Sequence, residues 1–408
     1  MYKISYIQPK FLPKIDLPLS KSLSNRLRVL QYLYPNSISV EEWSDAEDST
    51  LLIDALEKNL DYYNFGLAGT SIRFFLAVAA LEGRACTLDA SERGRERPIK
   101  PLIDSLILLG ARIIYLQKDG FLPIRLLGGE KLKGGSIAID ASVSSQFITA
   151  LLLIGPKMEK GLQLNLKHQA ASSSYWKMSC ILMNNLGFEI IQQETRIDIS
   201  HVKSILTKNI TIESDWSSAA YPIQTVLETH SQIQIRNLNA NSFQPDAVIL
   251  KILKPLGLRF EQVGPDLMLW MEKQDVSSLP SLDASSFPDL AISMAVLFSS
   301  LGIKCKLSGL QTLDIKESKR FSHLYASLSS LSEISLDEQN FSLDFQKQKS
   351  HSGPLLLQTE NDHRFVMAFT PLAYKFDLRI NEYLSVVKSF PNFWKEMVKL
   401  GFYHEKLN

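Results

Sequence analysis

The sequence has little that would favour a metal site, a membrane or a polyanionic partner. Its three cysteines, Cys86, Cys180 and Cys305, lie far apart and in no metal-ligand spacing. They fit small core residues in a reducing compartment. The seven histidines form no pair at helical metal spacing, and only His363 sits in a dense polar cluster. The clustered ligands that metal sites require are therefore missing. Formal net charge is +1, from 44 basic and 43 acidic residues. Bulk charge thus gives no support to nucleic-acid or membrane-surface binding. No apolar run reaches membrane-spanning length, and no low-complexity linker divides the chain. Residues 1–8 alternate apolar and polar and read as a strand, not a signal peptide. What remains is a soluble cytoplasmic protein of 408 residues, 45% hydrophobic, large enough for two or three cores. Any basic site must be a local concentration of charge.

What the chain does have is repetition. Six times a short polar stretch opens onto an apolar helical run, near Ser20, Ala68, Ser142, Asp215, Phe287 and Asn361. After a shorter first gap the openings recur at about 70-residue intervals, as a repeated supersecondary unit would. Helix starts carry unpaired N–H groups and partial positive charge, so six of them make an anion-binding surface. Between openings, strand and helix patterns alternate. Strands are predicted at 136–139, 162–166 and 188–191, with helices at 145–154 and 174–186, the second stopped by Gly187. A helix to residue 81, a strand around 87–88, a helix over 98–109 stopped by Gly110 and a strand at 112–116 repeat the order. The pattern recurs after Asp215, with Gly257 as the stop. The polar stretch 346–352 reads as a loop or turn between strands. The fold class is α/β, built from six β-α-β-α-β-β units. Two lobes of three units would place the site in the cleft between them.

Eight segments carry candidate chemistry. Ser20-Lys21-Ser22-Leu23-Ser24-Asn25-Arg26 follows Leu17-Pro18, and Pro18 prevents a helix from running in from upstream. The serines suit an ordinary capped helix. Lys at a helix start opposes the dipole, however, and an anionic ligand would offset that cost. Gly66-Leu67-Ala68-Gly69-Thr70-Ser71-Ile72-Arg73 is either a glycine turn or a place where Gly69 admits a ligand to the backbone. Arg93-Gly94-Arg95-Glu96-Arg97-Pro98-Ile99 precedes a helix predicted to begin at Pro98. It is either a solvated basic loop or brings Arg97 to a carboxylate or phosphate. Ser142-Val143-Ser144-Ser145-Gln146-Phe147 offers hydroxyls to a phosphate at a helix start, with a capping box as the alternative. Ser172 and Tyr175 head the next helix. Asp289, in Phe287-Pro288-Asp289, opens an apolar helix over 290–297 and is either its N-cap or a catalytic carboxylate. Lys316-Glu317-Ser318-Lys319-Arg320 alone reads as a solvated helical face. Asn361-Asp362-His363-Arg364 puts four polar residues directly before an apolar run at 365–372, which points to function. Lys388-Ser389-Phe390-Pro391 is the eighth.

In this order and spacing, from about Leu17 to Leu400, the eight segments resemble the 5-enolpyruvylshikimate-3-phosphate synthase family. The resemblance implies an α/β, two-lobed enolpyruvyl transferase fold, an inside-out α/β barrel with three units per lobe. It implies that residues 1–18 and 214–408 form the C-terminal lobe, on the phosphoenolpyruvate side with the catalytic carboxylates. Residues 19–213 would form the N-terminal lobe, on the shikimate 3-phosphate side. The implied reaction moves the enolpyruvyl group of phosphoenolpyruvate to the 5-hydroxyl of shikimate 3-phosphate and releases phosphate. Lys21 would contact both substrates. Ser22, Arg26, Gln146, Tyr175 and Asp289 would hold the shikimate ring and carboxylate. Ser144, Ser145 and Ser172 would hold its phosphate. Gly69, Arg97, Gln146, Arg320, Arg364 and Lys388 would surround phosphoenolpyruvate. Asp289, helped by Lys316, would be the general base, and Glu317 would protonate the methylene carbon. No metal, organic cofactor, nucleic acid or membrane is implied, and the enzyme would be a cytoplasmic monomer.

The sequence departs from the family pattern at Leu19, Leu67, Ser214, Thr312 and Lys319. Leu67 and Thr312 each remove a polar group expected near the ligands, which predicts weaker affinity for one substrate. A sister family transfers enolpyruvyl to UDP-N-acetylglucosamine on the same fold. It typically carries a cysteine on the loop before an Arg-Pro pair, and residues 91–97 have none. A catalytically impaired homologue that only binds ligands or a partner is the remaining alternative.

Overall fold

The computed structural model describes residues 1–140, 144–167, 173–315 and 318–407. The chain divides into two compact units. One is continuous, Lys21–Ile212; the other joins Met1–Ser20 to Glu213–Asn408. Each holds three sheets among the described residues.

In the continuous unit, Tyr62–Asn64 and Ala85–Asp89 pair in parallel, then Ile124–Leu127 and Ile113–Tyr115 extend the sheet antiparallel. Gly135–Asp140 and Leu162–Lys167 begin a second sheet in parallel, continued antiparallel by Arg196–Ile199 and Ile190–Gln192. Ile38–Val40 and Lys208–Ile210 form a two-stranded parallel pair. In the other unit, Leu282–Asp283, Cys305–Ser308, Ser342–Gln348 and Ser332–Asp337 follow the same plan. So do Lys14–Ile15, Gln232–Ile235, Asp266–Met271 and Leu258–Val263. In the last sheet, Leu355–Leu357 and Leu378–Ile380 are the parallel pair, and the N-terminal strand Tyr2–Tyr6 lies between Leu378–Ile380 and Phe402–Lys406. A parallel pair needs a long crossover, and a central helix supplies it in the pairs at 62–64 and 85–89, 135–140 and 162–167, 282–283 and 305–308, and 355–357 and 378–380.

The six openings lead into the central helices. Lys21–Leu33, Gly69–Glu82 and Ser145–Ile154 pack on one another in the continuous unit. Trp216–Thr229, Ala291–Leu301 and His363–Phe369 do so in the other. Gly69–Glu82, Ser145–Ile154 and Ala291–Leu301 are apolar nearly all round, which only a buried helix tolerates, whereas Lys21–Leu33 keeps a polar face. In Gly69–Glu82 just two residues, Thr70 and Glu82, are not buried. The sheets cover the helices, so each sheet needs only one apolar face. Gly83 and Gly302 end two of the helices in the left-handed conformation. Cys86, Cys180 and Cys305 are buried, and burial pushes their thiols up to about 11, 12 and 11.

Two expected elements differ. The helix expected from Pro98 is Lys100–Leu108, with Ile99 before it, so Pro98 lies outside. Pro101 instead occupies the first turn, where its missing N–H costs nothing. The polar stretch expected as a loop at 346–352 begins inside the strand Ser342–Gln348. That strand is held on both sides, and its polar end faces outward, where Lys347 pairs with Glu333 at 3.3 Å. Among the described residues, no helix is long and apolar enough to cross a membrane.

Candidate active site

In the continuous unit the candidate residues gather at the starts of the central helices. Gly69 opens Gly69–Glu82. A Cβ there would lie 2.5 Å from both terminal nitrogens of Arg97 and 2.6 Å from Nη1 of Arg73. Only glycine lets two guanidinium groups come this close to the backbone. Arg97 Nη1 donates to the Leu67 carbonyl at 3.0 Å. Leu67, which lacks the polar side chain expected there, therefore still contributes its backbone. Gln146 donates from Nε2 to Thr70 Oγ1 at 3.0 Å and accepts from Arg73 Nη1 at 2.8 Å. Ser144 caps Ser145–Ile154 by accepting from the Gln146 N–H, and Ser145 is buried beside it.

The Lys21 ammonium pairs with Asp48 at 3.2 Å, which offsets a lysine at a helix start. Ser22 is half-buried on the same helix, and its carbonyl accepts from Arg26. Arg26 is itself buried, donating to Ser179 Oγ at 2.7 Å and to the Tyr175 carbonyl at 3.0 Å. Burial lowers its guanidinium to about 9. Arg26 thus ties Lys21–Leu33 to Ser173–Asn185, the helix that carries Tyr175.

In the other unit Asp289 stands just before Ala291–Leu301 without capping it; the cap position is Leu290. Its carboxylate pairs with Arg364 Nη2 at 3.0 Å, and its carbonyl accepts from Arg364 Nη1 at 2.9 Å. Asp362 caps His363–Phe369 and accepts from Arg320 at 2.6 and 3.1 Å and from Ser318 Oγ at 2.9 Å. Arg320 and Asp362 are 1% and 0% exposed, so the two form a buried ion pair. Lys388 is half-buried at the end of the short helix Tyr383–Lys388. Leu19 and Ser214 form an isolated antiparallel bridge where the chain leaves and rejoins this unit, so these two departures sit at the crossing. Thr312 is buried and its hydroxyl has no hydrogen-bond partner among the described residues. Lys319 is exposed before Arg320–Leu328. Ser172, Lys316 and Glu317 lie outside the described residues, as does Ser142.

Sequence reasoning missed two charged residues. Arg73 is an arginine inside an otherwise apolar helix, one turn beyond Gly69; that placement was the available signal. Asp246 is buried and accepts from Ser217 Oγ. Burial first, and the nearby Asp289 charge second, push its carboxyl up to about 7. No motif marks it. A cavity of about 840 Å³ lies elsewhere, lined by Arg28, Tyr32, Leu56, Glu82, Lys133 and Lys157. It sits where Lys21–Leu33, Glu47–Glu57 and Gly69–Glu82 end, away from the helix starts that bear the candidate residues. No group of three or more potential metal ligands occurs among the described residues.

Known proteins resemble this chain in sequence and fold. A family model described as EPSP synthase (3-phosphoshikimate 1-carboxyvinyltransferase) matches residues 14–397. The 3-phosphoshikimate 1-carboxyvinyltransferase of Bacteroides fragilis strain YCH46 is 32% identical over 95% of both chains. In Lodderomyces elongisporus, 28% of the pentafunctional AROM polypeptide 2 matches 97% of this chain at 28% identity. A solved EPSP synthase from Acinetobacter baumannii covers 99% of each chain with a TM-score of 0.73 at 18% identity, which shows the same fold. With a match of this extent in sequence and the same fold along the chain, the protein belongs to the EPSP synthase family.

Proposed function

We propose that this protein transfers the enolpyruvyl group of phosphoenolpyruvate to the 5-hydroxyl of shikimate 3-phosphate, releasing phosphate on the route to chorismate and the aromatic amino acids. The supporting observation is the pairing of Asp289 with Arg364 at 3.0 Å. It puts a carboxylate against a cation suited to a substrate carboxylate. A phosphoenolpyruvate carboxylate on Arg364 competes with Asp289 for that charge and makes Asp289 the stronger base.

Asp289, with Lys316, takes the proton of the 5-hydroxyl as its oxygen bonds to the enol carbon. Glu317 protonates the methylene carbon, giving a tetrahedral adduct. Loss of a proton from the new methyl group and cleavage of the carbon–oxygen bond to phosphate then restore the enol. Lys21, Arg97, Arg364 and Lys388 stabilise the moving negative charge, and Arg320 fixes Asp362 beside Arg364. Ser144, Ser145 and Ser172 hold the shikimate 3-phosphate phosphoryl group, while Ser22, Arg26, Gln146 and Tyr175 shape its ring site. Gly69 and Gln146 border phosphoenolpyruvate. The enzyme acts as a cytoplasmic monomer on these two small molecules, without metal or organic cofactor.

Purified protein given both substrates should release phosphate and form 5-enolpyruvylshikimate 3-phosphate. Absence of turnover, or turnover with UDP-N-acetylglucosamine in place of shikimate 3-phosphate, refutes the proposal.

A further inference from the structure

Arg73 is 4% exposed and reaches back over the first turn of its own helix. Its Nη1 donates to the Gly69 carbonyl at 2.9 Å and to Gln146 Oε1 at 2.8 Å; Nη2 donates to the Pro98 carbonyl at 3.0 Å. The Phe147 ring lies 5.3 Å from the guanidinium carbon. One side chain thus joins the Gly69 turn, the segment after Arg97 and the start of Ser145–Ile154. Among the described residues no carboxylate pairs with Arg73, and its Nε has no hydrogen-bond partner. The charge it does meet is Arg97, whose own Nε is also buried without a partner. Burial first, and Arg97 second, lower the Arg73 guanidinium well below the ordinary arginine range.

Two adjacent guanidinium groups without a counter-charge are unfavourable unless something negative joins them. Arg73 is enclosed, so the contact falls to Arg97, which is half-buried. We infer that Arg73 is a positioning residue of an anion site: it holds Gln146 and the Gly69 carbonyl in place, and its charge leaves Arg97 to be neutralised by the anion. It touches no substrate. The identity of that anion, the phosphoryl group of phosphoenolpyruvate, rests on the proposed function; the site itself does not.

Inorganic phosphate is the probe, followed through the side-chain 1H–15N resonance of Arg97, assigned by its loss in Arg97→Met. In Arg73→Met the phosphate dissociation constant seen at Arg97 should rise about tenfold or more, since both the held geometry and a neighbouring charge are lost. Arg73→Lys keeps the charge but not the fork, and should fall between the two. The KM for phosphoenolpyruvate should rise in the same order, with the KM for shikimate 3-phosphate within about twofold. A purely structural Arg73 would lower the melting temperature and leave phosphate affinity at Arg97 unchanged; that result overturns the inference. If Arg73→Met does not fold, unchanged affinity in Arg73→Lys overturns it equally. Weakened phosphate binding in an enzyme that never turns over the two substrates would support the inference and sink the proposed function.

Discussion

Replacing Gly69 by alanine adds a single methyl group at the most crowded point of the anion site. The new Cβ would stand 2.5 Å from two Arg97 nitrogens and 2.6 Å from one of Arg73, where ordinary contact begins at 3.4 Å. Both guanidinium groups must give, each by about 1 Å, to restore normal separation. Among the described residues Arg73 is held by three hydrogen bonds and is buried, whereas Arg97 makes one, to the Leu67 carbonyl. Arg97 therefore yields more readily than Arg73, and the anion contact is lost there first. A displacement of about 1 Å at a charged contact weakens the hold on phosphoenolpyruvate by about 10- to 100-fold, or roughly 1.4–2.7 kcal/mol. The helix itself loses little, because alanine is favoured over glycine by about 1 kcal/mol within a helix. Steady-state kinetics with each substrate varied in turn, together with a melting curve, check this. The KM for phosphoenolpyruvate should rise while the KM for shikimate 3-phosphate and the melting temperature stay nearly constant. An unchanged phosphoenolpyruvate KM would remove Arg97 from the anion site. An equal rise in both KM values would mean that the whole unit had shifted.

Asp289→Asn should lower kcat by about 10²- to 10⁴-fold while calorimetry still detects shikimate 3-phosphate; a loss below tenfold would move the base elsewhere. Asp362→Ala leaves Arg320 buried without its counter-charge and should cost about 3–5 kcal/mol in denaturant unfolding. A cost below 1 kcal/mol, roughly the worth of a surface pair, would contradict the burial argument. Asp246 has its folded-state carboxyl raised from 3.8 to about 7, among Asp289, Asp215, Arg364 and Ser217. Its contribution to stability is therefore full below the unfolded value and is lost as pH rises through about 7, on the order of 2–4 kcal/mol. Asp246→Asn should flatten the fall in stability between about pH 4 and pH 7; a variant whose stability falls as steeply as the wild type refutes that assignment.

The six helix starts were legible because glycine, serine and aspartate before an apolar run have local physical reasons to be there. Asp215 and Asp362 do cap their helices. Asp289 could not be decided locally, since the same residue type serves as cap or acid; its role depends on Arg364, 75 positions away. Arg73 was hidden for the opposite reason. Its helix is apolar, and only three-dimensional placement reveals that it faces Gly69, Gln146 and Arg97. The strand at 342–348 was missed at its polar end because strand pairing satisfies its backbone while its side chains meet water. Asp246 carries no signal at all, because burial and proximity to Asp289 are tertiary facts.

The placement of Tyr2–Tyr6 between Leu378–Ile380 and Phe402–Lys406 also governs the order of events during synthesis. The strand Tyr2–Tyr6 has no partner until residues 378–380 follow, on the order of 20–75 s later at about 5–20 residues per second, and its second partner comes later still. The unit Lys21–Ile212 needs nothing from beyond its own limits for its sheets and can mature in the meantime. Ile4, 1% exposed in the finished protein, must wait in solution or on a chaperone. A nascent chain halted after Ile212 but before the last strand therefore carries one completed unit and an open sheet edge on the other, ready to pair with the wrong strand.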